Sequence, residues 1–291
     1  MKTRSIIYII LAGIFWGTSG IFVHYLAPYG FSSYQMTAAR AIVSFTFILC
    51  YSLIKDRTIF NIKLSHLPLF LGIGISIFLT GSCYFLSMQM TSVSTAVVLM
   101  YTAPIYVMIF SVMFLGERLT RTGVASIVIM LAGCCLVSGV IIGLKFDLWG
   151  IVIGILSGIA YASYNVLTKI SMQKGIKPLS VNLYSFAFML LISLWTLEPK
   201  AMASSIAILP TLTVPLLIAL GIFTFITPYF LSTLAMKELS ASTASTLCIV
   251  EPMAATLFSA VILKEKIDVF SIVGIILILC AIFMIGRSQK D

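Results

Sequence analysis

Charged residues are so sparse in this chain that they leave about ten long apolar runs between them, and no other feature constrains the fold as tightly. The runs span approximately 5–23, 33–54, 67–88, 93–115, 122–142, 148–169, 179–197, 211–234, 240–263 and 269–286. At about 1.5 Å of rise per residue, each is long enough as a helix to cross roughly 30 Å of hydrocarbon. Only 9% of the 291 residues are charged, where a soluble domain charges about a quarter of its own. The connecting stretches are too short for a second domain. The expected fold is an all-α integral membrane protein of ten transmembrane helices, with the lipid bilayer as its surroundings. The least defined boundary lies at 198–215, where Pro210 and Pro215 blur the start of the eighth run.

Lys2 and Arg4 precede the first run in the manner of a signal peptide. The run is longer than a signal core, and no small-residue cleavage site clearly follows it, so it is taken as a retained helix. The net charge of +9 raises the question of a nucleic-acid partner. Its distribution answers it. With the amino terminus in the cytoplasm, Lys2, Arg4, Lys55, Arg57, Lys63, Arg118, Arg121, Lys169, Lys174, Lys177, Lys237, Arg287 and Lys290 fall inside, and Lys145, Lys200, Lys264 and Lys266 outside. Arg40 lies within a run. A 13-to-4 bias follows the positive-inside rule and places both termini in the cytoplasm of a cell-membrane protein. Topology accounts for the basicity, and no nucleic acid is implied. The six cysteines form no C-x-x-C pair. They are expected to be small buried hydrophobes, with no metal and no cofactor.

The chain also repeats itself. Residues 92–118, SVSTAVVLMYTAPIYVMIFSVMFLGER, align without a gap on 240–266, SASTASTLCIVEPMAATLFSAVILKEK. Ten of the 27 positions are identical, and Pro104 falls on Pro252 and Glu117 on Glu265. The offset is 148. At an offset of 145, GIFWGTSGIF (13–22) lies over GIAYASYNVL (158–167). Two halves of five runs follow, 1–145 and 146–291. Because five is odd, the second half enters the membrane from the opposite side. Such inverted repeats are common among secondary transporters, whose sites lie near the midplane between repeats.

FWGTSGIF, TAARAIVSF with Arg40, APIYVMIFSVMFLGER, YASYNVLTK and EPMAATLFSAVILKEK stand in this order along nearly the whole chain. In these the sequence resembles an EamA-type member of the drug/metabolite transporter superfamily. The resemblance implies ten helices, a central cavity and the movement of small metabolites. It also implies a recurrent Glu-Pro pair at Glu251–Pro252 and a recurrent arginine at Arg40.

Glu251 is the twelfth residue of a 24-residue run, near the midplane. An ionised group there costs on the order of 2.5–3.5 kcal/mol on insertion scales, so it should face a wet cavity or the protein interior. Its repeat partner is Ala103, so the repeat alone does not require the charge. A neutral, hydrogen-bonded structural acid is the plainer alternative. Arg40 is eighth in its run and either snorkels to the surface or binds a carboxylate. Pro104 and Pro252 each remove a backbone donor in mid-run, giving either a static kink or a carbonyl freed toward the cavity. Trp16, Ser19, Tyr84, Tyr101, Tyr161, Tyr164, Asn165 and Tyr229 are polar or amphipathic groups in apolar runs. They are expected to point inward, as a cavity wall or as ordinary packing. Gly150, Gly154 and Gly158 form a small-residue stripe suited to close helix packing within the bundle. The GTSG at 17–20 has the look of a membrane serine protease, but such a serine needs a base beside it, and His24 and His66 are poorly placed for that.

The expected function is a secondary transporter or facilitator of small metabolites, moving amino acids or related compounds outward. No Walker motif points to ATP. Proton-coupled efflux of organic cations is the nearest alternative, and a non-transporting sensor or scaffold the alternative of another class.

Overall fold

The computed structural model describes residues 2–118, 120–139, 147–264 and 267–288, and every regular element among them is a helix. The expectations that rest on Lys145, Glu265, Lys266 and Lys290, and on the side chains of Lys2 and Arg287, lie outside the described residues.

The first run forms α1 (Lys2–Gly17) and α2 (Ser19–Leu26), parted at Thr18, whose hydroxyl turns back to the Phe15 carbonyl at 2.7 Å. Helix α3 (Ser33–Ile54) opens on a capping box, Ser32 and Gln35 satisfying each other's backbone donors. Then come α4 (Leu67–Met90), α5 (Val93–Met100), α6 (Ala103–Phe110) and α7 (Arg121–Val137). The second half holds α8 (Leu148–Gln173), α9 (Pro178–Ser193), the short α10 (Pro199–Ile208), α11 (Pro210–Gly221), α12 (Thr227–Ala235), α13 (Ala241–Leu247), α14 (Val250–Ile262) and α15 (Val269–Ser288).

Seven stretches among the described residues are long and apolar enough to cross a membrane: Thr3–Tyr29, Ser33–Ile54, Leu64–Met90, Val93–Leu115, Leu148–Gln173, Pro210–Ala235 and Ala241–Ile262. Three apolar helices are shorter, Arg121–Val137, Pro178–Ser193 and Val269–Ile285. At 16 or 17 residues these reach about 25 Å, a little under a full hydrocarbon core. The seventh run, expected to reach 197, stops at Ser193 because Leu194–Thr196 turn over, ahead of Pro199.

The outer surface is that of a multi-pass membrane protein. Phe47, Phe114, Val128, Leu191 and Phe283 are exposed, a distribution that water would not tolerate. Trp149 and Trp195 stand out at 69% and 95% exposed, at the start of α8 and just past α9. Both belong to one end of the bundle, where aromatic rings suit the membrane interface. The end that holds the start of α1 is called the near end below, and the end of Trp149 and Trp195 the far end.

The two halves interlock. Helix α1 packs on α12 and α14, whereas α8 packs on α4, α5 and α6. Glycines permit the closest of these approaches. A Cβ on Gly17 would lie 2.9 Å from the Glu251 carbonyl oxygen, and one on Gly13 would strike Val250. On α8, a Cβ on Gly150 would lie 2.6 Å from Thr91 Cγ2, on Gly154 2.5 Å from Leu99 Cδ1, and on Gly158 3.0 Å from the Leu99 carbonyl. The stripe is thus filled by α4, α5 and the link after α5.

Two expectations change. Pro104 and Pro252 do not sit in the middle of continuous helices. Each run breaks just ahead of its proline, at Tyr101–Thr102 and at Cys248–Ile249, and the proline falls in the first turn of the next helix. First-turn N–H groups lack intrahelical partners anyway, so the missing donor costs little there. The cysteines are not uniformly buried either. Cys50 and Cys280 face outward, because a thiol is apolar enough to meet lipid.

Candidate functional site

The broken helices meet around a cavity of about 520 Å³, a volume suited to a small metabolite. Its wall includes Trp16, Ser19, Arg40, Tyr84, Tyr101, Tyr161, Tyr229, Glu251 and Pro252. It runs toward the far end, past Val23, Ser33, Met88, Val93, Ser94 and Ser138.

Glu251 reaches the cavity because α13 and α14 are separate helices. Its N–H bonds the Cys248 carbonyl at 3.0 Å across the break, and the carboxylate projects from the first turn of α14. A helix N-terminus favours a negative charge, which lowers the cost of an acid here. The Tyr101 hydroxyl, at the equivalent break between α5 and α6, is buried without a well-formed hydrogen bond and lies within reach of that carboxylate. Arg40 comes from α3. One terminal nitrogen donates to Thr37 Oγ1 at 3.1 Å, the guanidinium lies 5.3 Å from the Phe225 ring centre, and Nε is buried with no partner. Neither Arg40 nor Glu251 forms an ion pair with any described residue; the pair found among those residues is Lys177–Asp56, 3.1 Å apart at the near end.

Aromatic rings floor the cavity. Trp16 meets Tyr229 edge-on at 5.2 Å and Tyr161 at 6.4 Å, and Phe225 lies 4.7 Å from Tyr229. Such edge contacts hold rings rigid while leaving their faces open to a ligand.

Tyr164 and Asn165 depart from expectation, since neither lines this cavity. They lie a turn beyond Tyr161, under the floor. Tyr164 stacks on Tyr161 and its hydroxyl is 3.4 Å from Ser232 Oγ. Asn165 donates to the Tyr161 carbonyl at 2.8 Å and is fully buried. Pro104 is also behind the wall. Ser19 does line the cavity, while His24 packs on Tyr25 at the far end and His66 on Phe70 at the near end.

Thr37, Thr80, Thr224, Ser94 and Phe225 line the cavity without having been singled out in the sequence. Single hydroxyls in apolar runs carry no distinct signal, because most of them bond the carbonyl one turn back, as Thr224 does to Leu220 at 2.7 Å.

Below the floor, contacts at the near end tie the helices together. The Glu117 carboxylate, past the end of α6, accepts the Ala241 N–H at 2.8 Å and the Ser242 hydroxyl, capping α13. Lys169 donates to the Met236 and Leu239 carbonyls at 2.9 and 2.6 Å. Ser5 donates to Glu238 at 2.8 Å. In the exposed loop beside them, hydrogen bonds from Thr58 and from Lys177 hold the Asp56 carboxyl below its usual range.

The chain matches the model of the EamA-like transporter family twice, over 3–139 and 148–287. Two proteins named as uncharacterized transporters, from Archaeoglobus fulgidus and Clostridium kluyveri, are each 27% identical to it. The matches cover 96% and 99% of this chain, and 95% and 94% of those proteins. The uncharacterized transporter YwfM of Bacillus subtilis is 22% identical over 98% of this chain and 94% of its own. A solved crystal structure superposes over the full length of both chains with a TM-score of 0.81 at 16% identity, a likeness of fold.

Proposed function

The chain belongs to the EamA-like transporter family, and from that premise we propose that it is a secondary carrier of amino acids or closely related zwitterions, working outward across the cell membrane. The observation that carries this is the pairing of Arg40 and Glu251 in one cavity, each without an ion-pair partner among the described residues. A guanidinium suits a carboxylate, a carboxylate suits an ammonium, and aromatic rings between them suit an apolar side chain. Proton-coupled efflux of organic cations uses the acid and the rings equally well, but an arginine in the same cavity repels a cation.

The carrier is proposed to be ten helices in two inverted halves, 1–145 and 146–291, with both termini cytoplasmic and the near end facing the cytoplasm. Supporting this are the double family match, the equivalent breaks at Tyr101–Thr102 and Cys248–Ile249, and the lysine and arginine bias. Glu251 is proposed to change its protonation or its partner as access switches between faces. Glu251→Gln keeps shape and hydrogen bonding but cannot titrate. Flux in proteoliposomes over a pH series is expected to lose most concentrative transport or its pH dependence in the variant, with normal folding. An unchanged profile would refute the role.

A further inference from the structure

Hydroxyls inside this bundle mostly return their hydrogen to the carbonyl one turn back, as Ser171 does to Leu167 at 2.9 Å and Ser193 to Met189 at 2.8 Å. A polar group between α8, α9 and α12, on the near side of the aromatic floor, does not settle so well. The Tyr164 hydroxyl lies 3.4 Å from Ser232 Oγ and close to Thr168 and Thr233. Thr233 Oγ1 donates to the Tyr229 carbonyl at 2.7 Å and lies 3.0 Å from the Asn182 side-chain amide. Thr168 Oγ1 and Ser185 Oγ are buried without a well-formed hydrogen bond. Buried polar side chains carry a desolvation cost that apolar ones would not, so a cluster of them between three helices invites a role beyond packing.

The repeat supplies that role. Gly30 and Gly175 both take positive φ, +81° and +71°, and both stand three residues ahead of the next helix, at Ser33 and Pro178. The offset of 145 therefore continues into α3 and α9. Thr91 bonds Ser87 at 2.8 Å just as Leu239 bonds Ala235 at 3.0 Å, which carries the offset of 148 back into α4 and α12. Under these offsets Tyr164 answers to Ser19, Asn182 to Thr37, Ser185 to Arg40 and Ser232 to Tyr84. Each of the first-half residues lines the open cavity.

We propose that Tyr164, Thr168, Asn182, Ser185, Ser232 and Thr233 are the other half of the substrate path, collapsed here and hydrated when the near end opens. This rests on the inverted-repeat reading above. The half-path offers hydroxyls and an amide where the cavity offers Arg40, so it solvates a zwitterion's polar groups without gripping its carboxylate. The Glu117 cap on α13 and the Lys169 bonds to Met236 and Leu239 close it. Val93 and Ser94, which answer to Ala241 and Ser242, line the cavity at the open end.

The test places single cysteines at Asn182 and at Thr37 in a chain whose six native cysteines are replaced. An impermeant thiol reagent is applied to each face of proteoliposomes. In the parent, Thr37→Cys should react from one face and Asn182→Cys scarcely from either. Adding Glu117→Gln should raise the Asn182→Cys rate from the opposite face roughly tenfold and slow Thr37→Cys, as a shift in population requires. Lys169→Gln serves as an independent second lock variant, should the first fail to fold. If either lock variant slows Thr37→Cys while Asn182→Cys stays inert, access alternates but the buried group is structural, and this proposal falls alone. If neither cysteine responds, or both respond from one face, the inverted-repeat reading falls with it.

Discussion

Under the proposed function, Arg40 takes the substrate carboxylate from the cavity wall. The guanidinium is already oriented by Thr37 and Phe225, so little ordering remains to be done when a carboxylate arrives. Arg40→Gln should weaken carboxylate-bearing substrates by about ten- to a hundredfold in apparent affinity, the scale of one charge-assisted hydrogen-bond pair. Amines lacking the carboxylate should bind no worse. Competition by both ligand types against a transported substrate checks this, and equal losses would assign Arg40 a structural part. Tyr101→Phe removes a hydroxyl that is buried without a well-formed bond, so its melting temperature should not fall. Glu251 and Arg40 were legible as single residues because a charge in an apolar run has few uses. Tyr164 and Asn165 lie outside the open cavity, and their depth was not legible for the opposite reason. A membrane helix has little polar stripe to fix its rotation, and the sequence does not say at what depth a cavity ends.

The helices themselves follow directly from the spacing of charges, and nearly all the expected runs became helices within a few residues of their ends. Their breaks showed only in part. The apolar pattern continues unchanged through Thr18, Tyr101–Thr102 and Cys248–Ile249; Pro104 and Pro252 flagged two of the three as kinks, and the packing of glycines shows where the chain parts. Gly13 and Gly158 align at the sequence offset of 145, and a Cβ on each would press on carbonyls that align at 148, Cys248 at 3.3 Å and Met100 at 3.2 Å. Close helix approach thus holds each break in place. Gly154→Leu forces a side chain into Leu99 and Ser87. It should lower stability by about 1–3 kcal/mol, the usual cost of overpacking, and impair flux, while insertion survives because leucine favours the membrane. Wild-type melting and flux in the purified variant would rule out a tight contact.

For the whole molecule, a multi-pass helical transporter was legible from charge sparsity and from the internal repeat. The contacts that tie the near end together were not, because Glu117 and Lys169 act on backbone groups far away in the chain. Orientation has its own test. Impermeant labelling of single cysteines should place 55–66 and 170–178 on the cytoplasmic face and 143–147 and 264–268 outside. The proposed topology puts Lys264 and Lys266 outside against the charge rule, because the repeat requires it; labelling of 145 and 266 from opposite faces would contradict the two-half topology. The central claim, that one cavity reads both charges of a zwitterion, is tested most directly by counterflow in proteoliposomes. A labelled amino acid is exchanged against its unlabelled form, against the same compound lacking its carboxylate, and against the same compound lacking its amine. The account predicts that only the intact zwitterion drives exchange well, and that each truncated analogue is weaker by at least about tenfold, one lost charge-assisted contact. Full exchange driven by the amine alone would contradict it and make the protein a cation carrier.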